Sequence, residues 1–186
     1  VRRRTGIAAV TAGAGFFAGQ AGELVLGSPS DLVDIGFVLL VGIGFAGLAL
    51  ALWDLRAVVV APTSARVGLW MAMTGAVVLL LFAVQVLVVQ ARTGDVPQSF
   101  QLFALGFLLV LMGQVMFAPG LLGTDLSRAW PLPVIATLGL LVGLGLDVDP
   151  VHDLGLLAFE GAWIGFGVLL LRGVPAQPVA HRPGPA

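Results

Sequence analysis

Six apolar stretches alternate with short polar segments along this chain of 186 residues. Each stretch holds about 18 or more mostly apolar residues, and roughly 20 are needed for one helical crossing of a bilayer's hydrocarbon core. The pattern therefore predicts an all-α integral membrane bundle of six transmembrane helices with short loops. The predicted spans are residues 6–27, 35–53, 67–89, 100–118, 129–146 and 154–171.

The segments between the spans carry prolines, serines and charged residues, as expected where a backbone turns in water. Residues 1–173 are predicted to form the transmembrane domain, and the proline-rich residues 174–186 a disordered cytoplasmic tail. The first span has a second interpretation, because three arginines before an apolar run also resemble a signal peptide. The run is longer than the roughly 7 to 15 residues of a signal peptide's apolar region, which favours a retained helix.

Arginine positions predict the orientation of the bundle. If the N-terminus lies in the cytoplasm, eight of the nine arginines fall on the cytoplasmic side and only Arg92 falls outside. Such a bias is typical of cytoplasmic loops. Trp53, Trp70 and Trp130 then lie at the inner membrane interface, where indole rings are enriched. Both patterns predict a multi-pass protein of the bacterial cytoplasmic (inner) membrane with both termini in the cytoplasm.

Composition strengthens the membrane assignment and narrows the chemistry. Hydrophobic residues make up 59% of the chain, charged residues 10%, and the mean hydropathy is +1.06, so the polar surface of a soluble protein cannot be built. The chain has no cysteine, which excludes disulfides and thiolate metal sites, and no lysine, which excludes a Schiff base. No nucleotide, hydrolase or metalloprotease motif appears. We expect no cofactor and no nucleic-acid partner.

Polar side chains inside the spans are the first candidates for a functional site, because they are costly in lipid. Gln20, Glu23, Gln85 and Glu160 come from three spans and are predicted to share one layer in the outer half of the bundle. As a purely structural cluster, they would join helices by hydrogen bonds, with the glutamates neutral. As a functional cluster, they would bind a proton or a cation entering from outside.

Acidic residues are concentrated on the predicted outer side. An acidic mouth attracts cations, and its residue types include possible ligands of a divalent metal. The alternative is a set of solvated acidic turns, since such short loops rarely form closed metal sites. The candidate outer cation-attracting residues are Asp31, Asp34, Asp147, Asp149, His152 and Asp153.

Glycines at four-residue spacing predict close helix packing. Small residues four apart let two helix backbones approach each other in a membrane. We expect such pairs to hold the bundle together, or to form a face for a second copy of the chain. The candidate pairs are Gly15 with Gly19, Gly139 with Gly143, and Gly161 with Gly165.

Short motifs at both ends resemble a group of uncharacterised six-helix bacterial inner-membrane proteins of unknown function. They are Arg4-Thr5-Gly6-Ile7 near the start, and Phe159-Glu160-Gly161-Ala162-Trp163 with Arg172-Gly173 in and after the last span. The resemblance implies the six-span architecture and no particular reaction.

Two functions are compatible with these patterns. Short loops and sparse intramembrane polarity favour a non-enzymatic accessory, regulatory or assembly subunit of a membrane complex, partnered by another membrane protein or by its own copy. The alternative is a small proton or cation transporter or channel that uses Glu23 and Glu160 beneath the acidic mouth. An intramembrane enzyme acting on lipid is disfavoured, because no nucleophile or metal cluster accompanies either glutamate.

Overall fold

The computed structural model describes residues 2–26, 31–59, 62–93, 100–122, 124–145 and 151–172. Side chains are described for these residues except 23–26, 31–34, 100 and 143–145. Within these ranges the chain is helical and has no strand, which confirms the all-α prediction for the described residues. The helices are α1 (Arg2–Leu26), α2 (Asp31–Leu55), α3 (Thr63–Thr93), α4 (Phe100–Phe117), α5 (Pro131–Gly145) and α6 (Val151–Arg172).

Four apolar helical segments are long enough to cross a membrane: Ile35–Leu55, Thr63–Thr93, Gln101–Leu121 and Val151–Arg172. Helix α5 has 15 residues and spans about 22 Å at 1.5 Å per residue, less than the roughly 30 Å of a hydrocarbon core. Helix α1 is long but begins with three arginines and is rich in alanine and glycine. The structure thus has six helices in its described part, and four of them have the length and composition of a membrane span.

Neighbouring helices run antiparallel and form a ring. Contacts join α1 to α2, α2 to α3, α3 to α4, α5 to α6, and α6 back to α1. Helices α4 and α5 touch each other much less than the other neighbouring pairs. We call this weak contact the α4/α5 seam. The ring is therefore tightly packed around its circumference except at one place.

Glycines set the spacing in the tight contacts. A methyl group on Gly15 would lie 2.8 Å from the backbone nitrogen of Gly44, and one on Gly68 would lie 2.7 Å from the backbone nitrogen of Phe117. Glycine alone avoids these overlaps, so α1 lies against α2, and α3 against α4, at backbone distance. Glycine thus permits the close approach of the helices in both of these pairs.

One end of the bundle gathers most of the arginines, and we call it the arginine end. The start of α1, the end of α2, the start of α3 and the end of α6 meet there. Arg2 forms an ion pair with Asp125, and Arg4 Nε lies 3.7 Å from Asp54 Oδ2. The Thr5 hydroxyl donates to the same Asp54 oxygen at 3.5 Å. Each carboxylate described at this end is thus met by an arginine.

The half of the bundle next to the arginine end is closed by large buried side chains. We call this half of the bundle the arginine half. The half farther from the arginine end is called the opposite half. Leu48, Leu52, Leu55, Phe117 and Leu121 are at most 1% exposed. Outside this core, many large apolar side chains on the helices face outward, as expected of a surface in contact with lipid.

Candidate functional site

A cavity of about 450 Å³ lies between the helices in the opposite half. All six helices contribute to its lining, and most of the lining is apolar. Three polar side chains reach it: Gln20 from α1, and His152 and Glu160 from α6. Its volume lies within the range of roughly 300 to 1,000 Å³ that is common for small-molecule sites.

Phenylalanine rings make up much of the wall, and we call the space the phenylalanine cavity. Six of the rings form a chain of contacts that crosses five helices, with centroid distances from 4.5 to 6.3 Å. Edge-on and tilted packing of this kind is favourable between aromatic rings. In order the rings are Phe159, Phe16, Phe45, Phe107, Phe103 and Phe82. A seventh, Phe37, lines the cavity beside them.

Glu160 places a carboxyl group at this aromatic wall. The residue is 3% exposed, and its Oε2 atom is buried with no hydrogen-bond partner among the described residues. A buried polar atom without a partner costs free energy, so native structures usually provide one. Glu160 also lines the cavity, so its carboxyl group is a candidate contact for a molecule bound there.

Close packing of α6 on α1 fixes the position of Glu160. A methyl group on Gly13 would lie 2.6 Å from the Ile164 side chain, and one on Gly167 would lie 2.6 Å from the backbone oxygen of Gly6. These glycines bring the two helices to backbone distance, with Glu160 one turn from Ile164 on the same face. Gly13 and Gly167 are not among the predicted glycine pairs, although each faces the partner helix.

Gln20 connects α1 to the first turn of α6. Its Nε2 donates to Asp153 Oδ1 at 3.4 Å, a long and therefore weak hydrogen bond. Its Oε1 is buried and has no partner among the described residues. A second residue of the cavity lining thus carries a buried oxygen without a partner among the described residues.

A second buried polar pair lies across the α4/α5 seam. The Thr137 hydroxyl lies 3.2 Å from Gln114 Oε1 and 2.9 Å from the Pro133 carbonyl oxygen, and its single proton serves one of them at a time. Gln114 is fully buried, and its Nε2 has no partner in the described part of the chain. This pair joins α4 to α5 in the arginine half, away from the phenylalanine cavity.

Of the four predicted intramembrane polar residues, the structure brings two together. Gln20 and Glu160 line the same cavity. Gln85 is half-buried on α3 and does not line that cavity. The side chain of Glu23 lies outside the described residues.

The candidate outer residues are only partly described. His152 lines the cavity, and Asp153 accepts the hydrogen bond from Gln20. The side chains of Asp31 and Asp34, and all of Asp147 and Asp149, lie outside the described residues. No group of three or more possible metal ligands occurs among the residues that the structure describes.

The predicted glycine pairs have different surroundings. Gly15 and Gly19 lie against α2, and Gly139 lies against α6 next to Gly155. A methyl group on Gly161 would have no neighbour within 4 Å, and one on Gly165 would meet only the Leu132 side chain at 3.9 Å. This pair therefore makes no close backbone contact within the chain, while Gly143 lies outside the described side chains.

The residues of the phenylalanine wall are not among those predicted from the sequence, although the sequence contains a signal for them. Each of five helices carries one or more phenylalanines in the half that also holds Gln20 and Glu160. Aromatic rings on several helices at one depth next to an intramembrane acid indicate a site that neither feature indicates alone.

The arrangement suits recognition of a cation by one carboxyl group and several ring faces. Ring faces attract cations through their quadrupole, and this attraction is strongest where water is excluded. Among the described residues the cavity lining contains no serine, threonine or cysteine nucleophile beside Glu160. Comparison of the chain with protein families, with curated proteins and with solved structures gives no match.

Proposed function

We propose that this protein binds an apolar organic cation in the phenylalanine cavity, with Glu160 as the counter-charge. The observation that carries the proposal is Glu160, which lines a cavity of about 450 Å³ and whose buried Oε2 atom has no partner among the described residues. The sequence suggested a proton or any cation as the partner of Glu160. The other lining groups now specify which kind of cation fits.

The aromatic wall favours an organic cation over a metal ion. Hard ions such as Ca²⁺ take six to eight oxygen ligands, whereas three polar side chains reach this cavity. A small metal ion that gives up its water ligands needs oxygen atoms in their place, which phenylalanine rings do not provide. The rings can instead contact the apolar surface and the diffuse charge of a large organic cation. Gln20 Oε1 offers a second acceptor for an N–H group of the ligand.

A pair of probes with the same shape and opposite charge tests the proposal. Tetraphenylphosphonium and tetraphenylborate are both bulky and apolar, and they differ in the sign of their charge. Titration calorimetry with the purified protein should show binding of the cation and not of the anion. Phenyltrimethylammonium, a smaller cation, covers the case in which the larger probe does not fit.

Glu160→Gln provides the residue-level test. It keeps the shape and removes the charge, and it should weaken binding of the cation about tenfold or more, because the buried counter-charge is lost. Asp125→Asn is the matched control, since it removes one negative charge at the exposed arginine end. If neither cation binds, or if Glu160→Gln binds as well as the unmodified protein, the proposal is wrong.

Uptake by proteoliposomes separates a transporter from a receptor. Tetraphenylphosphonium crosses bilayers unaided, so uptake is measured with phenyltrimethylammonium and compared with protein-free liposomes. A potential that is negative inside drives cations inward, so a transporter should accumulate this cation above that background and Glu160→Gln should abolish the excess. Binding without accumulation would identify a receptor or a binding subunit instead.

We further propose that all six helices cross the bacterial inner membrane, with the arginine end in the cytoplasm. Support comes from the arginines and from three half-exposed tryptophans, Trp53, Trp70 and Trp130, at one end of the helices. The chain has no cysteine, so single-cysteine variants report their own position. An impermeant maleimide should label Thr93→Cys in intact cells, and Ser64→Cys only after lysis. The reverse labelling pattern would show that the arginine end lies outside the cytoplasm.

An accessory or assembly role is a second candidate, favoured by the open surface at Gly161. This glycine is exposed on α6 and has space for a neighbouring helix. Gly161→Leu should then reduce recovery of a stoichiometric partner, or of a dimer, from native membranes. A monomer that recovers no partner with either sequence would remove this candidate.

A further inference from the structure

A shallow groove of about 600 Å³ runs along the outer surface of α1 and α2 and ends at two arginines. Arg3 and Arg4 form its polar end, and Ile7, Ile43 and Leu50 are among the apolar residues along it. The groove is separate from the phenylalanine cavity, with which it shares no lining residue. It lies on the outside of the helix ring, where lipid would contact the protein.

Small residues produce the groove. A methyl group on Gly47 would lie 2.8 Å from both the Ala12 nitrogen and the Ala8 oxygen, so α1 and α2 meet here with little side chain between them. Ile7, Ile43 and Leu50 project on either side and are each about half exposed. An apolar groove with raised edges results, and its apolar lining suits a hydrocarbon chain.

The dimensions match a phospholipid rather than a free anion. From Arg3 to Thr11, the last residue of α1 in the groove, the helix rises about 12 Å. The charged group thus lies at one end, and the apolar groove extends away from it along the helices. A lipid has this division, with a headgroup joined to chains that run along the bilayer normal.

The charges at the polar end select an anionic headgroup. Arg2 is held by Asp125, and Arg4 lies near Asp54. Arg3 is exposed, and among the described residues it forms no ion pair. Its guanidinium group is therefore available for a phosphate, to which arginine binds through two parallel hydrogen bonds. Basic pockets between membrane helices bind anionic headgroups in this way.

We propose that this groove binds one anionic phospholipid, with the phosphate at Arg3 and Arg4 and an acyl chain between α1 and α2. The site requires only that α1 and α2 lie in the bilayer, and it does not depend on what fills the phenylalanine cavity. Anionic lipid bound there would fasten the start of α1 to the end of α2, where the Arg4–Asp54 contact already joins them.

Native mass spectrometry of the detergent-purified protein tests the site with two lipids that have the same chains. Dioleoyl phosphatidylglycerol should remain bound as one molecule per chain, whereas dioleoyl phosphatidylcholine should not. Arg3→Gln should weaken binding of phosphatidylglycerol about fivefold. Thr11→Phe keeps the charge and fills the exposed groove, and it should weaken binding as well.

Two controls separate this site from general charge attraction. Arg92→Gln removes an exposed arginine from the far end of α3, and it should leave the affinity unchanged. Glycerol phosphate has the headgroup's phosphate but no acyl chains. It should not raise the melting temperature of the protein, because the proposed site also needs an acyl chain. Equal retention of both lipids would overturn the proposal. An equal loss with Arg92→Gln, or full binding by Thr11→Phe, would do the same.

Discussion

The two halves of the helix bundle differ in how their carboxyl groups are paired and in how fully their interior is filled. In the arginine half, the described carboxylates of Asp54 and Asp125 each have an arginine, and large side chains fill the interior. In the opposite half, Glu160 and Gln20 each leave a buried oxygen without a partner among the described residues, beside a cavity.

This difference indicates a division of work within one small bundle. Filled space and paired charges stabilise a fold, while empty space and orphaned acceptors cost stability and are usually retained for function. We therefore expect the arginine half to contribute more to stability, while the opposite half contains the candidate site. Four variants test this division, each against a partner in the other half or against a neutral position.

The largest expected difference is between two phenylalanines. Phe117→Ala, in the filled half, should lower the free energy of unfolding by about 4 kcal/mol, because Phe117 is fully buried and its removal leaves a new void. Phe82→Ala, at the cavity, should cost only about 1 kcal/mol, because Phe82 is half-buried and already borders empty space. Unfolding titrations with SDS in mixed micelles measure both. Similar losses would contradict the division.

Two glycines should respond with opposite signs. Gly68→Ala puts a methyl group 2.7 Å from the Phe117 nitrogen and should lower stability by about 2 kcal/mol. Gly36→Ala, in the opposite half, meets nothing within 4 Å and should raise it by about 0.5 kcal/mol, because alanine favours the helix. The same unfolding titration distinguishes them, and a loss at both positions would show that the opposite half is also tightly packed.

Removal of the orphaned acid should stabilise the protein. Glu160→Met replaces a buried carboxyl group by an apolar chain of similar length, and we expect the free energy of unfolding to rise by about 1 kcal/mol while cation binding is lost. Gln114→Met is the comparison in the arginine half. It removes one orphaned nitrogen and one hydrogen bond together, so its change should stay within about 0.5 kcal/mol. A destabilised Glu160→Met would mean that the acid has a structural role.

The smallest effect is expected at the arginine end. Asp54→Asn removes the charge opposite Arg4 and should lower stability by about 0.5 kcal/mol, since Arg4 is largely exposed to solvent. The loss should shrink at high salt, which screens exposed charges. Arg66→Gln, at an exposed position with no ion pair among the described residues, should be neutral at either salt concentration.

Hydropathy predicted the helices well, because lipid leaves a chain few alternatives to the helix. Each predicted span contains most of one observed helix, but the helices often continue past the apolar run. Helix α3, for example, extends from Thr63 to Thr93 around a predicted span of 67–89. A hydropathy boundary marks the change of solvent, whereas a helix ends where its backbone hydrogen bonds end, and these two points differ.

The site was predicted less completely than the fold. Glu160 and Gln20 were identified because polar groups are rare inside apolar spans, and the structure places both at one cavity. Gln85 was grouped with them by depth alone, but depth does not say toward which side of a helix a residue points. The phenylalanines were not identified, since in an apolar span an aromatic residue that lines a cavity looks the same as one that faces lipid.

The α4/α5 seam gives the ring of helices a loose joint. In a ring that is tightly packed all round, separating any two helices breaks many contacts. Here α4 and α5 can separate with little loss of packing. The hydrogen bond between Gln114 and Thr137 joins the two helices in the arginine half. We therefore expect α4 and α5 to separate beside Phe107 and Leu140 of the cavity lining, with this pair as the fixed point. A ligand would then enter the cavity laterally from the lipid bilayer, and its solubility in lipid would determine how often it reaches Glu160.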